Sequence, residues 1–255
     1  MPKFAANLST MFTEWAFLDR FQAAAETGFS AVEFLFPYDF PPDEIANRLS
    51  ANDLTLALFN LPPGDWSSGE RGLAALPERR TDFQQTLATA MPYVIATGAK
   101  RLHMMGGLGD RHDRLAMATY KDSIRLACDS VGESIDILIE PLNPRDMPGY
   151  FLNDFPTAAA IITDLALPNL KLQYDIYHRQ ILHGDVTNSL EKSLPMTGHI
   201  QIASVPNRQE PGTGELDDHR VFQHLDHLGY NGFIGCEYRP AEGTLAGLGW
   251  LKKYR

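Results

Sequence analysis

Two short runs, "LIEPLN" at 138–143 and "GCEYRP" at 235–240, each end an apolar stretch in a single glutamate, Glu140 and Glu237. A carboxylate closing a run of Val, Ile and Leu sits where loss of water costs it most, so it needs a compensating partner. Between them the same pattern recurs: "LKLQYDIY" (170–177) carries Asp175 and "GHIQIASV" (198–205) carries Gln201. Three carboxylates and a carboxamide make four oxygen donors, the set that suits a hard divalent cation such as Mg2+ or Mn2+. With no histidine or cysteine among them, zinc is less favoured. A lone strand-end glutamate is ordinarily a cap or an ion-pair partner. Several carboxylates crowded together without a cation, however, would repel one another and be pushed towards protonation.

With a cation in place, Glu140 and Glu237 can serve twice. A carboxylate bound through one oxygen keeps the other free to take up or return a proton. On opposite sides of a chelated 2-hydroxy carbonyl compound, the pair would relay a proton between adjacent carbons through a cis-enediolate, whose oxygens the cation polarises. That is aldose–ketose isomerisation, or epimerisation if the proton returns to the same carbon.

These residues need a scaffold that brings distant segments together. Short apolar runs at 3–8, 31–36, 54–60, 100–107, 135–143, 170–177, 198–205 and 233–239 read as strands. Helical patterns follow them at 14–28, 41–53, up to about 97, 114–132, 154–167, 186–194, 217–229 and 243–254. Eight strands, each followed by a helix, predict an α/β fold of the (β/α)8 TIM-barrel type, a single domain over 1–255. Reactive groups in such a barrel lie at the C-terminal ends of the strands. Neighbouring strands run about 4.8 Å apart, so strands five to eight can converge Glu140, Asp175, Gln201 and Glu237 on one point. The competing architecture, an open doubly wound sheet, lacks its Gly-rich phosphate turn after the first strand.

Composition narrows the partners. A net charge of −10, from 22 Lys and Arg against 32 Asp and Glu, leaves little for the basic face that nucleic acid requires. Cys128 and Cys236 match no metal or redox spacing, which points to a reducing compartment. No leader-like start and no run of about 20 apolar residues is present. A cytoplasmic protein without membrane association is therefore expected.

Longer motifs carry a family resemblance. "NLPPGDWSSGERGLAALPER" (60–79), "IEPLNPRDMPGYFL" (139–152), "QYDIYH" (173–178), "HIQIASVPNRQEPGTGE" (199–215) and "GCEYRP" resemble the hydroxypyruvate isomerase family. That family stands among the xylose-isomerase-like TIM barrels, beside 2-oxo-tetronate isomerases and ketose 3-epimerases, and the resemblance spans the whole chain. It implies conversion of hydroxypyruvate to tartronate semialdehyde, with 2-oxo-tetronate isomerisation and ketose 3-epimerisation as alternatives. Glu140, Asp175, Gln201 and Glu237 match the family's metal positions, and Glu140 and Glu237 its catalytic pair. His178 and Arg208 match positions that hold substrate oxygens. Similar epimerases have histidine where Gln201 stands. The stretch "ASVPN" at 203–207 departs from a more polar, "ADNPH"-like family pattern. Barrels of this group often pair, so a homo-oligomer is compatible with the resemblance. An endonuclease or a non-catalytic sugar-acid sensor on the same fold are the rivals from other classes.

An anionic sugar-acid substrate needs a cation, and Arg208 is the first candidate, since guanidinium grips carboxylate in a two-pronged fork. Its alternative is a surface pair with Glu210 or Glu215. Glu70, next to Arg71 in the long loop after strand three, and His103, near the end of strand four, complete the expected substrate contacts. Mutual pairing is the plain alternative for the loop charges. Phe36, Tyr38 and Trp66 are candidate walls of the pocket, while His224 and His227 belong to an outer helix face.

Overall fold

The computed structural model describes residues 1–254. Eight parallel strands close a barrel in chain order: β1 Lys3–Asn7, β2 Ala31–Phe34, β3 Thr55–Asn60, β4 Arg101–His103, β5 Asp136–Ile139, β6 Leu170–Asp175, β7 Thr197–Ile202 and β8 Phe233–Cys236. Around it run α1 Arg20–Glu26, α2 Pro42–Ala51, α3 Arg80–Thr97, α4 Arg114–Val131, α5 Phe155–Leu165, α6 Ile176–Leu182, α7 Val186–Ser193, α8 Asp218–His227 and the short α9 Thr244–Gly247. Helix starts follow local chemistry. Asp113 accepts from the Leu115 and Ala116 amides, and Asp154 accepts from Thr157 N. Gly98, in the left-handed conformation, closes α3.

The structure corrects several boundaries. β4 stops after His103 because "MMGG" turns out of the ladder to meet a neighbouring loop. Gly106 bridges Gly72, and Gly107 adopts a φ of 103°. The stretch 170–177 leaves the sheet at Asp175, whose Oδ1 accepts from Tyr177 N at 2.7 Å and so caps α6. The apolar "IY" that follows hides that helix start from a pattern reading. The first helix begins later than position 14, because Glu14 instead accepts from the Thr244 amide at 2.5 Å and ties the first loop to the last. The final helix is mostly a 3-10 segment, Leu248–Tyr254.

The barrel interior changes character along its axis. A small apolar layer of Ala5, Ala31 and Ala57 packs with Phe233. Nearer the rim the lining is polar. Glu33, with 0% of its surface exposed, accepts from Asn7 Nδ2 at 3.0 Å and Gln201 Nε2 at 2.8 Å, and its Oε2 lies 2.6 Å from His199 Nε2. A Cβ on Gly235 would fall inside contact distance of both Glu33 carboxylate oxygens, which these three partners hold in place. Gly235→Ala is therefore expected to destabilise the barrel by about 1–3 kcal/mol, the cost of an overpacked core. Urea denaturation measures it, and an unchanged midpoint would show that Glu33 moves aside freely.

Candidate active site

β5 and β8 end one residue before Glu140 and Glu237, so both carboxylates stand on the C-terminal rim as their strands turn into loops. Asp175 closes β6, and the register of β6 on β7 sets it opposite Gln201. With His103 and His178, the two glutamates line a cavity of about 480 Å3 that also takes in Phe36, Trp66 and Arg208. Tyr38 is turned away from it, donating to Asn60 O at 2.6 Å.

The acids of the site are buried and only partly satisfied. Glu140 Oε2 accepts from Gln173 Nε2 at 2.9 Å, whereas Oε1 is buried without a hydrogen-bond partner. Asp175 spends Oδ1 on the helix cap and leaves Oδ2 equally orphaned. Burial, with repulsion from Asp175 and Glu237, pushes the Glu140 carboxyl well above the ordinary range. Burial also raises Asp175 to about 7, with Glu237 adding to the rise and Arg208 offsetting part of it. Glu237 is raised by burial too, against the pull of Arg208.

Arg208 is the counter-charge of this cluster. Its Nη2 donates to Glu237 Oε2 at 2.7 Å and lies 3.8 Å from Asp175 Oδ2, while Nη1 donates to Asp146 at 3.2 Å. Burial alone would lower its pKa, but Glu237, Asp175 and Asp146 outweigh that and raise it. The backbone holds it at a φ of 53°, a left-handed conformation uncommon outside glycine. The fork expected for a substrate carboxylate is thus engaged by the protein's own acids, not by Glu210 or Glu215.

The two histidines are kept neutral. Burial lowers His103 to about 3, and His199 adds to the effect. Its Nε2 approaches Glu140 Oε2 to 3.5 Å. Burial likewise lowers His178, helped by Arg208. Its Nδ1 accepts from Asn143 N at 3.0 Å, which assigns the ring proton to Nε2, 3.5 Å from Asp175.

Glu140, Asp175 and His178 each offer a ligand atom, all within 4.8 Å of one another. In the tautomer set by Asn143, His178 has no lone pair free, so the two orphaned oxygens of Glu140 and Asp175 are the part of this set that fits a divalent cation. Two expectations are modified. Gln201 faces inward, but its Oε1 already accepts from Gln173 at 2.7 Å and its Nε2 serves Glu33. That oxygen has one lone pair left to give. Glu70 does not line the cavity: it pairs with Arg79 and accepts from Asp65 N at 2.5 Å, so its carboxylate braces its own loop. Sequence reading passed over Glu33, His199, Asn143 and Asp146. Glu33 had a visible sign, a lone acid inside the apolar run "AVEFLF".

The sequence profile of the xylose isomerase-like TIM barrels matches residues 21–254. This chain belongs to that family. A 2-oxo-tetronate isomerase of Cupriavidus necator is 53% identical over 100% of this chain and 99% of its own. A hydroxypyruvate isomerase of Escherichia coli is 42% identical over all of both chains. Among solved structures, a Brucella melitensis protein described as an AP endonuclease of family 2 superposes with a TM-score of 0.97 at 46% identity, covering 100% of each chain. The 3-keto-D-glucoside 4-epimerase of E. coli, TM-score 0.78 at 21% identity and 99% coverage of each, shares the fold. With relatives of this kind over its full length, the chain is an isomerase. No helix among the described residues is long and apolar enough to cross a membrane.

Proposed function

We propose that the protein interconverts a small 2-oxo acid with its 3-oxo isomer, 2-oxo-tetronate first and hydroxypyruvate second. Hydroxypyruvate led on sequence motifs, and the 53% identity to a 2-oxo-tetronate isomerase reverses the order. The observation that carries the reading is the pair Glu140 and Glu237, both buried, both raised in proton affinity and both facing one cavity.

In the forward direction a proton leaves C3 of the substrate for one glutamate, a proton is delivered to C2, and the hydroxyl proton passes from O3 to O2. Burial makes these carboxylates stronger bases than glutamate in water, which favours abstraction next to a carbonyl. His178, with its proton on Nε2, donates to a substrate oxygen, and Asn143 keeps the ring in that tautomer. Held by Glu140, Asp175, Gln201 and Glu237, a divalent cation would supply polarisation of the two substrate oxygens. Arg208 balances the charge on Glu237 and Asp175.

NMR-monitored turnover of hydroxypyruvate, both enantiomers of 2-oxo-tetronate and a panel of ketoses tests the proposal. Conversion of either acid is expected; turnover of ketoses alone, with inversion at one carbon, would replace it by an epimerase. The endonuclease reading meets a net charge of −10. Nicking of abasic-site DNA by the purified protein would revive it.

A further inference from the structure

Both candidate acids keep a carboxylate one carbon away from the oxygens between which the proton moves. That group needs a cation the site's own acids have not claimed. Arg208 is engaged by Glu237, Asp146 and Asp175. Two other arginines line the cavity, Arg71 and Arg239, and neither forms an ion pair among the described residues. Arg239 is exposed, whereas Arg71 is half-buried and held.

The guanidinium of Arg71 lies 3.9 Å above the centre of the Trp66 ring. Its Nη1 donates to Trp66 O at 3.1 Å and Glu70 O at 2.7 Å. Among the described residues Nε and Nη2 have no acceptor. Stacking and two carbonyls immobilise the side chain before any ligand arrives, so little further ordering is needed on binding.

The loop beneath is braced as well. Gly72 N donates to Pro63 O at 2.8 Å, and Gly72 bridges Gly106 in the loop after β4. A Cβ on Gly72 would collide with the Met105 backbone, which shows how closely the two loops approach. Glu70 adds its bonds to Arg79 and Asp65 N. The residue expected to touch substrate thus steadies the loop that presents its neighbour.

We infer that Arg71 binds the substrate's carboxylate through its free N–H groups and selects oxo acids over neutral ketoses. This rests on the oxo-acid reading and adds to it the residue that recognises the acid. Two variants of the cation-loaded enzyme separate charge from packing. Arg71→Met keeps an apolar stem over Trp66 and removes the charge; Arg71→Lys keeps the charge and loses the planar fork.

On whichever acid the wild type converts, Arg71→Met is expected to raise KM roughly 10- to 100-fold, the worth of a bond to a charged group. Its kcat should stay within about 3-fold, as for binding shared by ground and transition states. Arg71→Lys should recover part of the KM. A wild-type KM in Arg71→Met overturns the inference, as does an equal loss of kcat in both variants with a lowered Tm, the mark of a loop-packing role. Failure of the wild type on both acids would instead remove the functional reading and this inference with it.

Discussion

Glu140→Gln and Glu237→Gln are each expected to lower kcat for oxo-acid isomerisation by about 10³-fold, within the range for loss of a general acid–base group. Glutamine matches the size of glutamate and can still meet Gln173 or Arg208, but it cannot carry the proton. The loss should fall on kcat more than on KM. Folding of Glu140→Gln should not suffer. Burial and repulsion from Asp175 and Glu237 raise the Glu140 carboxyl, so neutralising it relieves a cluster that is costly without a cation, whereas Glu237 is raised by burial and Glu33 against the pull of Arg208. Tm of metal-free Glu140→Gln is expected at or above that of the wild type, and that of Glu237→Gln below it, because its ion pair with Arg208 is lost. Steady-state kinetics, thermal melts and uptake of solvent deuterium at the reacting carbon check these statements together. Two variants that both keep more than about a tenth of the wild-type rate would end the proton-relay assignment.

Chelation by EDTA is expected to abolish turnover, and Mg2+ or Mn2+ to restore it. The thermal signature should depend on pH in a defined direction. Burial raises Asp175 to about 7 in the folded protein against 3.8 for an unperturbed aspartate, and Glu140 is raised well above its ordinary range. The metal-free folded state therefore holds protons that the unfolded chain releases. The stability they contribute is complete below about pH 4 and is lost as pH rises through about 7. A cation must displace the same protons, so it binds more tightly as pH rises over that window.

At one fixed concentration, about 100-fold above its Kd at about pH 8, the cation should raise Tm by about 5–10 °C at that pH and by clearly less at about pH 5.5. Differential scanning calorimetry at the two pH values measures it. Equal increments would mean that these carboxylates are not the ligands, and no increment at either pH would mean that no cation binds.

Sequence alone determined the barrel and the rim residues. Alternation of apolar runs with amphipathic stretches is local, and a parallel strand–helix repeat of eight closes in one way. Because the reactive positions of such a barrel are strand ends, "LIEPLN", "QYDIYH", "HIQIA" and "GCEYRP" were enough to bring Glu140, Asp175, Gln201 and Glu237 to one mouth. Strand and helix limits were less legible, as at Asp175, where a cap bond ends the strand inside an apolar run.

Which partner each polar group takes was decided only in three dimensions. Gln201 reaches Glu33 across 168 positions of sequence, and Arg208 takes Glu237 in place of its near neighbours Glu210 and Glu215. Glu70 and Arg71, adjacent in the chain, part company: one turns to Arg79 and the other stacks on Trp66 over the cavity. Periodicity tells which face a side chain occupies. The strength of a charge pair depends instead on distance and on the exclusion of water, and both are properties of the closed barrel.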